Sequence, residues 1–531
     1  MILRRGLGKW KIPLHRIAPN RLSGNGTLAH GNSFANHSSG CSKRPDPAVL
    51  IRKQIQGRVI NIWLVLIVVL GAVVAFSDGL TRTPFTEPEA SWNGPLEYKP
   101  YLGAFLLAGI TFPLMIVYAR KARITLTEGL FLWFAFCTTA YARDFSYVRW
   151  PGAPLFVTDV VLLILLLSIF ILPRPHYPQS PLAVNLFLVL FLAAGVLSAV
   201  RGFWEHRDPI LVVRDTALVE YSFFMLIAYH LFRSWLSVKR VATWFLLGTV
   251  VGALNGLGWF IAAPEERRFI YYGIYILISL AGTLVAITKR LIRGRVGWVC
   301  ASLLFVGLLL ANARSLFVAL AILVLLGLMG GRSVWGKIRV AHLVPTLLTG
   351  VVLFTLATFL FLRTEVGRDF AERSTAELDS GVFHSGEDPD WQFRLIAWKE
   401  AWRRFEEYPL AGEGFGVPFT FEIWDNDPRP HNTFLTVIYK MGLIGSLPLV
   451  TLLGYWLIQG LRAVQRNSTS SHLGFLQIAV LAQIAFCLYG MANLLLESPF
   501  LASLFWAVTG LSLKMIRMLD MERSLRSYFL L

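Results

Sequence analysis

The stretch RVINIWLVLIVVLGAVVAF, residues 58–76, decides the fold class of this chain. It is mostly apolar, and as a helix it is long enough to cross about 30 Å of hydrocarbon. Similar runs recur along most of the 531 residues. Because unpaired backbone groups are not tolerated in lipid, these runs must be helices. The sequence therefore predicts an all-α polytopic membrane protein with about 12–14 transmembrane helices and one large loop containing short helices.

Composition excludes a soluble globular protein. Hydrophobic residues make up 55% of the chain and charged residues only 15%, and the mean hydropathy is +0.57. The predicted spans lie near residues 58–76, 101–119, 124–141, 154–172, 181–200, 211–232, 241–262, 269–288, 296–312, 315–330, 342–362, 431–459, 473–496 and 498–516.

Basic residues predict the orientation of the spans. They are frequent in the N-terminal tail and between alternate pairs of spans, near residues 120–123, 233–240, 289–295, 332–339, 462–466 and 514–517. Under the positive-inside rule both termini are then cytoplasmic. The net charge of +18 reflects this topology and attraction to anionic membrane lipid. Nucleic-acid binding is not expected, because no basic soluble domain with interleaved aromatic residues is present.

Four segments follow from this topology. Residues 1–57 are rich in Ser, Gly, Asn and Arg and are predicted to be a disordered, basic cytoplasmic tail. Residues 58–295 hold the N-terminal transmembrane helices. Residues 296–460 form a core that includes the long outward-facing loop 363–430, and residues 461–531 hold the C-terminal helices and a cytoplasmic tail.

Three basic side chains are predicted to share one membrane depth on the outward side. Arg214 lies at the outer end of the span 211–232, Arg314 lies between two spans, and His431 opens the span that follows the long loop. Guanidinium groups at this level suit a phosphate or pyrophosphate, which they can hold bidentately. Each arginine alone could be an interfacial anchor, and His431 alone could be an interfacial histidine without chemistry. Their common depth favours a site.

The long loop supplies two further patterns. Apolar and aromatic residues recur at helical spacing over residues 391–403, which predicts an amphipathic helix at the membrane interface. Glycines then alternate at Gly412, Gly414 and Gly416, where a positive φ or close backbone approach is expected. Consecutive amides there could form an anion-binding nest, although the spacing is also that of a plain turn.

Read in order, the motifs of this region resemble the O-antigen ligase and O-antigen polymerase superfamily. The resemblance covers roughly residues 296–460. Its motifs are Ala313-Arg314-Ser315, Arg394-x3-Trp398, Pro409-Leu410-x-Gly412-x-Gly414-x-Gly416, His431-Asn432-x2-Leu435 and Gly442-x2-Gly445. Two positions depart from the family pattern: Ala313 stands where a serine is common, and Lys440 stands where an acidic residue is frequent.

The resemblance implies a membrane glycosyltransferase that needs no metal, cofactor or nucleotide sugar. It would move a glycan from an undecaprenyl-pyrophosphate donor to an acceptor hydroxyl on a glycolipid or glycan, at the periplasmic face of the bacterial inner membrane. His431 would be the general base, and Arg214 and Arg314 would stabilise the leaving pyrophosphate, with inversion at the anomeric carbon. The implied substrate-binding residues are Arg394, Asn432, Gly412, Gly414 and Gly416.

The sequence alone leaves other functions open. A ligase, a polymerase that extends repeat units, and a protein-glycosylating relative share these motifs. A transporter of polyisoprenoid-linked sugars is the alternative from another class, but it would need charged residues near mid-membrane and broken helices.

Overall fold

A computed structural model describes residues 47–81, 102–148, 155–171, 181–262, 270–311, 313–329, 389–420, 429–467 and 470–530. The regular structure of these ranges is helical. In chain order the described helices are α1 (Pro47–Thr81), α2 (Leu102–Ala122), α3 (Leu126–Ser146), α4 (Val157–Ile171), α5 (Leu182–Trp204), α6 (Pro209–Glu220), α7 (Phe223–Leu231), α8 (Trp235–Ala262), α9 (Ile270–Thr288), α10 (Gly294–Ala311), α11 (Arg314–Met329), α12 (Pro389–Glu407), α13 (Thr433–Arg466), α14 (Leu473–Gly490) and α15 (Pro499–Leu530).

Eight of the described helices are long and apolar enough to cross a membrane. Two further apolar helices, α4 and the Tyr272–Thr288 part of α9, are shorter. The all-α polytopic fold class predicted from the sequence is therefore confirmed. The predicted span 342–362, most of the predicted tail 1–57 and much of the predicted loop 363–430 lie outside the described residues.

Residues 55–531 form one compact unit, and the site described below belongs to it. Its helices pack mainly as α3 against α8, α9 against α10 and α14, α5 against α6 and α13, and α7 against α15. Helices from the N-terminal and C-terminal parts of the chain are thus interleaved. This arrangement brings α6 and the α14–α15 connection to the segment that precedes α13.

The predicted span 211–232 is not one helix. It is divided into α6 and α7, with Tyr221 and Ser222 between them. The Tyr221 hydroxyl donates to Asp159 Oδ1 of α4 at 2.7 Å. At the other end of α6, Pro209 occupies the first turn, and the Asp208 side chain accepts from the Ile210 amide at 2.8 Å, which caps the helix. Polar side chains therefore hold both ends of α6.

The predicted span 473–496 is also shorter than expected. Helix α14 ends at Gly490, and residues 491–498 form a connection before Pro499 begins α15. Proline disfavours helical conformation at the residue before it, so a new helix starts there. Leu495 and Leu496 are buried in this connection rather than in a continuous helix, and Leu494 is half-buried.

Candidate functional site

His431 lies in a short, conformationally defined segment directly before α13. Its φ is 49°, in the left-handed region that residues other than glycine rarely adopt. The next residue, Asn432, caps α13, because its side chain accepts from the amides of Phe434 and Leu435, both at 3.1 Å. The cap fixes where the helix begins, and with it the direction in which the histidine leaves the backbone.

Helix α12 packs against this same segment. The Trp398 indole Nε1 donates to the Pro430 carbonyl at 2.8 Å. The Phe393 ring meets the His431 imidazole edge to face, with the ring centroids 5.8 Å apart. Arg394, half-buried, lies beside Phe393 and one turn before Trp398. The helix predicted at residues 391–403 is present, and it brings Arg394 to the neighbourhood of His431.

A cavity of about 300 Å³ lies between α4, α6, the segment before α13 and the start of α15. Arg214 faces it from α6, and Arg429 faces it from two residues before His431. The other ionisable groups in its lining are Asp159, Glu220, Glu497, Tyr147 and Tyr221. Arg214 and Arg429 are thus brought to one cavity, and His431, two residues after Arg429, is not itself one of the lining residues.

Residues 491–498 contact three parts of this site: the segment that carries His431, the cavity and the start of α11. The amide of Leu495 donates to the Thr433 hydroxyl at 2.6 Å, directly after the α13 cap. Glu497 lines the cavity, and its Oε1 lies 3.8 Å from Arg429 Nη1. The side-chain amide of Asn493 donates to Ser315 Oγ at 3.3 Å. One connection therefore contacts the His431 segment, the cavity and the start of α11.

Arg314 is the first residue of α11. Its side chain lies outside the described part of the structure. The contact between Ser315 and Asn493 places the beginning of α11 beside the connection 491–498. The backbone at Arg314 therefore approaches the same region as Arg214 and His431, while the role of its guanidinium group stays a prediction.

Asp215, next to Arg214, is buried with 4% of its surface exposed. Its Oδ2 accepts from Lys440 Nζ at 2.9 Å and from the Gly416 amide at 3.0 Å. Arg214 Nη2 lies 3.8 Å from its Oδ1. Lys440 also donates to the Val417 carbonyl at 2.6 Å. The lysine that departs from the family pattern is therefore the buried partner of the carboxylate beside Arg214.

The three alternating glycines form a turn that is packed into the protein. All three have positive φ, 69° at Gly412, 91° at Gly414 and 81° at Gly416, as the sequence predicts. The Gly414 amide donates to the Lys440 carbonyl at 2.9 Å, and the Gly416 amide donates to Asp215. These amides donate to protein acceptors, so the turn joins α6 to α13. A role of the glycines and of Asn432 in binding substrate stays a prediction.

Gly442, inside α13, allows that turn to approach. Its φ is 57°, which interrupts the helix, and a Cβ there would lie 2.4 Å from the Leu410 carbonyl oxygen. A Cβ at Gly412 would lie 2.4 Å from the Lys440 carbonyl carbon. Side chains at either position would separate the turn from α13.

Sequence reasoning missed several side chains of the cavity, above all Arg429 and Glu497. Arg429 stands in the long loop among other arginines, where nothing singles it out. Glu497 carries a signal that was available, because an acidic residue between two apolar segments is a candidate functional group by default. Asp159 and Glu220 carry the same signal inside the predicted spans 154–172 and 211–232.

Glu497 is the most deeply buried acid of the cavity, at 6% exposed. Burial raises the pKa of its carboxyl above the ordinary value, and the positive charge of Arg429 acts in the opposite direction. Among the described residues, no group of three or more His, Cys, Asp and Glu side chains is arranged to hold a metal ion. The charged groups that face one another here are guanidinium groups and carboxylates.

Comparison with known proteins supports the motif analysis. A family model described as O-Antigen ligase matches residues 299–450, under a third of the chain. The match includes Arg314, Arg394, the glycine turn and His431, and it leaves Arg214 and Glu497 outside. No curated protein matches the chain. Residues 299–450 are therefore similar to the O-antigen ligase family, in a chain whose described part holds eight helices long and apolar enough to cross a membrane.

Proposed function

We propose that this protein transfers a glycan from undecaprenyl pyrophosphate to a hydroxyl group of a glycolipid or glycan acceptor, in the manner of an O-antigen ligase. The reaction takes place at the periplasmic face of the bacterial inner membrane, with both termini in the cytoplasm. The observation that carries the proposal is the convergence of Arg214 and the His431 segment on one cavity next to the start of α11.

The chemistry follows from the residue types. The acceptor oxygen attacks the anomeric carbon while the bond from that carbon to the phosphate oxygen breaks, so the configuration inverts. His431, as a neutral imidazole, accepts the proton of the acceptor hydroxyl. Negative charge develops on the departing pyrophosphate, and Arg214 and Arg314 stabilise it. Two guanidinium groups can do the electrostatic work of a divalent cation, so the mechanism requires none.

The backbone around His431 supports the assignment of a general base. A base is effective only when its nitrogen is held within hydrogen-bond reach of the proton it removes. The left-handed φ of His431, the α13 cap and the bond from Trp398 to Pro430 act on consecutive residues. We assign Arg394, beside this segment on α12, and the glycine turn to binding of the glycan or acceptor.

The test is transfer by purified protein in liposomes, with a lipid-linked glycan and an acceptor. His431→Ala should lower the rate about 10²–10⁴-fold, the usual contribution of a general base. His472→Ala is the matched control. The His472 ring stacks on Trp235, with the ring centroids 4.5 Å apart, and His472 is not one of the residues that line the cavity. Transfer at the wild-type rate by folded His431→Ala protein would exclude His431 as the base.

A second variant tests how the pyrophosphate is held. Arg314→Lys keeps the positive charge and loses the planar fork, so activity should fall if the contact is bidentate. Omitting the acceptor separates ligase from polymerase. Polymer formed from lipid-linked repeats alone would assign a polymerase, and strict dependence on an added acceptor would assign a ligase.

A further inference from the structure

Two arginines face the cavity from different parts of the chain. Arg214 belongs to α6, and Arg429 belongs to the segment between α12 and α13. Their side chains are 15% and 16% exposed. Burying a guanidinium group is costly unless negative charge surrounds it. Carboxylates in the lining balance part of this charge, and the two guanidinium groups offer two cationic contacts to an anion that enters the cavity.

One carboxylate lies near each of these arginines, at the same distance. Arg429 Nη1 lies 3.8 Å from Glu497 Oε1, and Arg214 Nη2 lies 3.8 Å from Asp215 Oδ1. A charge-assisted hydrogen bond would be about 2.7–2.9 Å long. These two carboxylates thus balance the positive charges across a distance longer than that of such a bond.

Arg429 is also close to the proposed base. Only Pro430 separates it from His431, so their Cα atoms are at most about 7 Å apart. The Pro430 carbonyl is held by Trp398, so this spacing is fixed. In a displacement at an anomeric carbon, the leaving phosphate and the attacking hydroxyl lie on opposite sides of that carbon. A cation and a base separated by one residue match that requirement.

Glu497 is placed to orient Arg429. It is buried, and the connection that carries it is tied to Thr433 through the Leu495 amide. The Thr433 hydroxyl lies 3.4 Å from Glu497 Oε2. Glu497 Oε1, which lies near Arg429, makes no hydrogen bond within the described residues. The carboxylate is therefore fixed on one oxygen, and its other oxygen faces the arginine.

We propose that Arg429 is a further pyrophosphate-binding residue of this cavity, opposite Arg214, and that Glu497 is the residue that positions it. The inference rests on the proposed function, because it names the group that holds the donor's leaving pyrophosphate. Arg429 contacts a phosphate oxygen of the bound donor and stabilises the charge that develops there. Glu497 balances Arg429 before the donor arrives.

The test measures binding without turnover. Undecaprenyl pyrophosphate and undecaprenyl monophosphate are titrated against detergent-purified full-length protein, and affinity is read from the ligand-induced shift in melting temperature. Arg429→Gln should weaken binding of the pyrophosphate about tenfold or more, as expected for a lost hydrogen bond to a charged group. Arg429→Lys should reduce the preference for pyrophosphate over monophosphate. The matched control is Arg403→Gln, because Arg403 is exposed on α12.

The double variant Arg429→Gln/Glu497→Gln distinguishes two roles of Arg429: binding the donor and neutralising the charge of Glu497. If Arg429 binds the donor, the double variant stays as weak as Arg429→Gln. Recovery of wild-type affinity would overturn the proposal, because Arg429 would then serve only to neutralise Glu497. Wild-type affinity in Arg429→Gln would overturn it as well.

The test still decides the role of Arg429 if one variant fails to fold or if the proposed function is wrong. If Arg429→Gln does not fold because a buried carboxylate is left unbalanced, the double variant and Arg429→Lys still report on binding. The outcome is also separate from that of the proposed function. Full transfer by His431→Ala would contradict the catalytic assignment, whereas the binding titration needs no transfer and would still decide the role of Arg429.

Discussion

Replacing Lys440 by methionine is expected to destabilise the protein through Asp215. The two side chains are 3% and 5% exposed, and Nζ lies 2.9 Å from Oδ2. Methionine fills a similar volume without charge, so the substitution removes the ion pair and leaves the carboxylate buried. Removing one partner of a buried pair costs about 3–5 kcal/mol.

The contacts of Asp215 and Lys440 narrow the expected loss in the free energy of unfolding. Asp215 keeps the amide of Gly416 at 3.0 Å and the charge of Arg214 at 3.8 Å, so it is not left without compensation. The Val417 carbonyl, which accepts from Lys440 at 2.6 Å, loses that bond, and an unsatisfied buried acceptor costs about 1–3 kcal/mol. We therefore expect a loss of about 3 kcal/mol in the free energy of unfolding, near the lower end of the range.

The assay is equilibrium unfolding in mixed micelles, followed by tryptophan fluorescence. Lys399→Met is the matched control, because Lys399 is exposed on α12 and should change stability by less than about 0.5 kcal/mol. The double variant Asp215→Asn/Lys440→Met should be more stable than Lys440→Met alone, since no buried charge remains. A loss below about 1 kcal/mol for Lys440→Met, or a double variant whose loss equals the sum of the single losses, would refute the reasoning.

Three further changes test other parts of the fold. Gly416→Ala should lower the free energy of unfolding by about 2 kcal/mol or more, because φ is +81° and a Cβ would lie 2.4 Å from a valine methyl group of α6. Gly454→Ala is its control in the same assay. A Cβ there would meet nothing within 4 Å, so this change should be neutral or stabilising. The hydrogen bond from Arg403 lowers the pKa of Glu400, so its ionised form stabilises α12 above the ordinary glutamate pKa, and this contribution is lost as the pH falls through the lowered value. Glu400→Gln should therefore remove the part of the α12 hydrogen-exchange protection that disappears in acid, and an unchanged pH profile would contradict this. Trp398→Phe removes the indole bond to the carbonyl before His431, so the transfer rate should fall while the melting temperature stays nearly constant; equal losses in both would mean that the bond is only structural.

Much of the architecture could be predicted, because lipid imposes one simple rule on each apolar run. The helical character of the spans, the helix over residues 391–403 and the positive φ of the alternating glycines all follow from local sequence. The position of His431 directly before a helix was predictable for the same reason, since a polar stretch ends there and an apolar run begins.

The cavity could not be predicted, because its members meet only through tertiary packing. Residues 494–496 continue an apolar run, so the sequence suggests helix where the protein has a connection. The division between α6 and α7 depends on a hydrogen bond from Tyr221 to Asp159 on another helix. The partner of Lys440 is more than two hundred residues away at Asp215, and no local pattern indicates that they form a pair.

The connection between α14 and α15 has a practical consequence for anyone who wishes to isolate a minimal enzyme. It lies beyond residues 299–450, and so does α6, yet both supply walls of the cavity. A fragment trimmed to residues 299–450 would retain His431 and lose two walls of the neighbouring cavity, where we propose that the pyrophosphate binds. Dissection of this protein should begin from the intact helical assembly, with side-chain replacement in place of truncation.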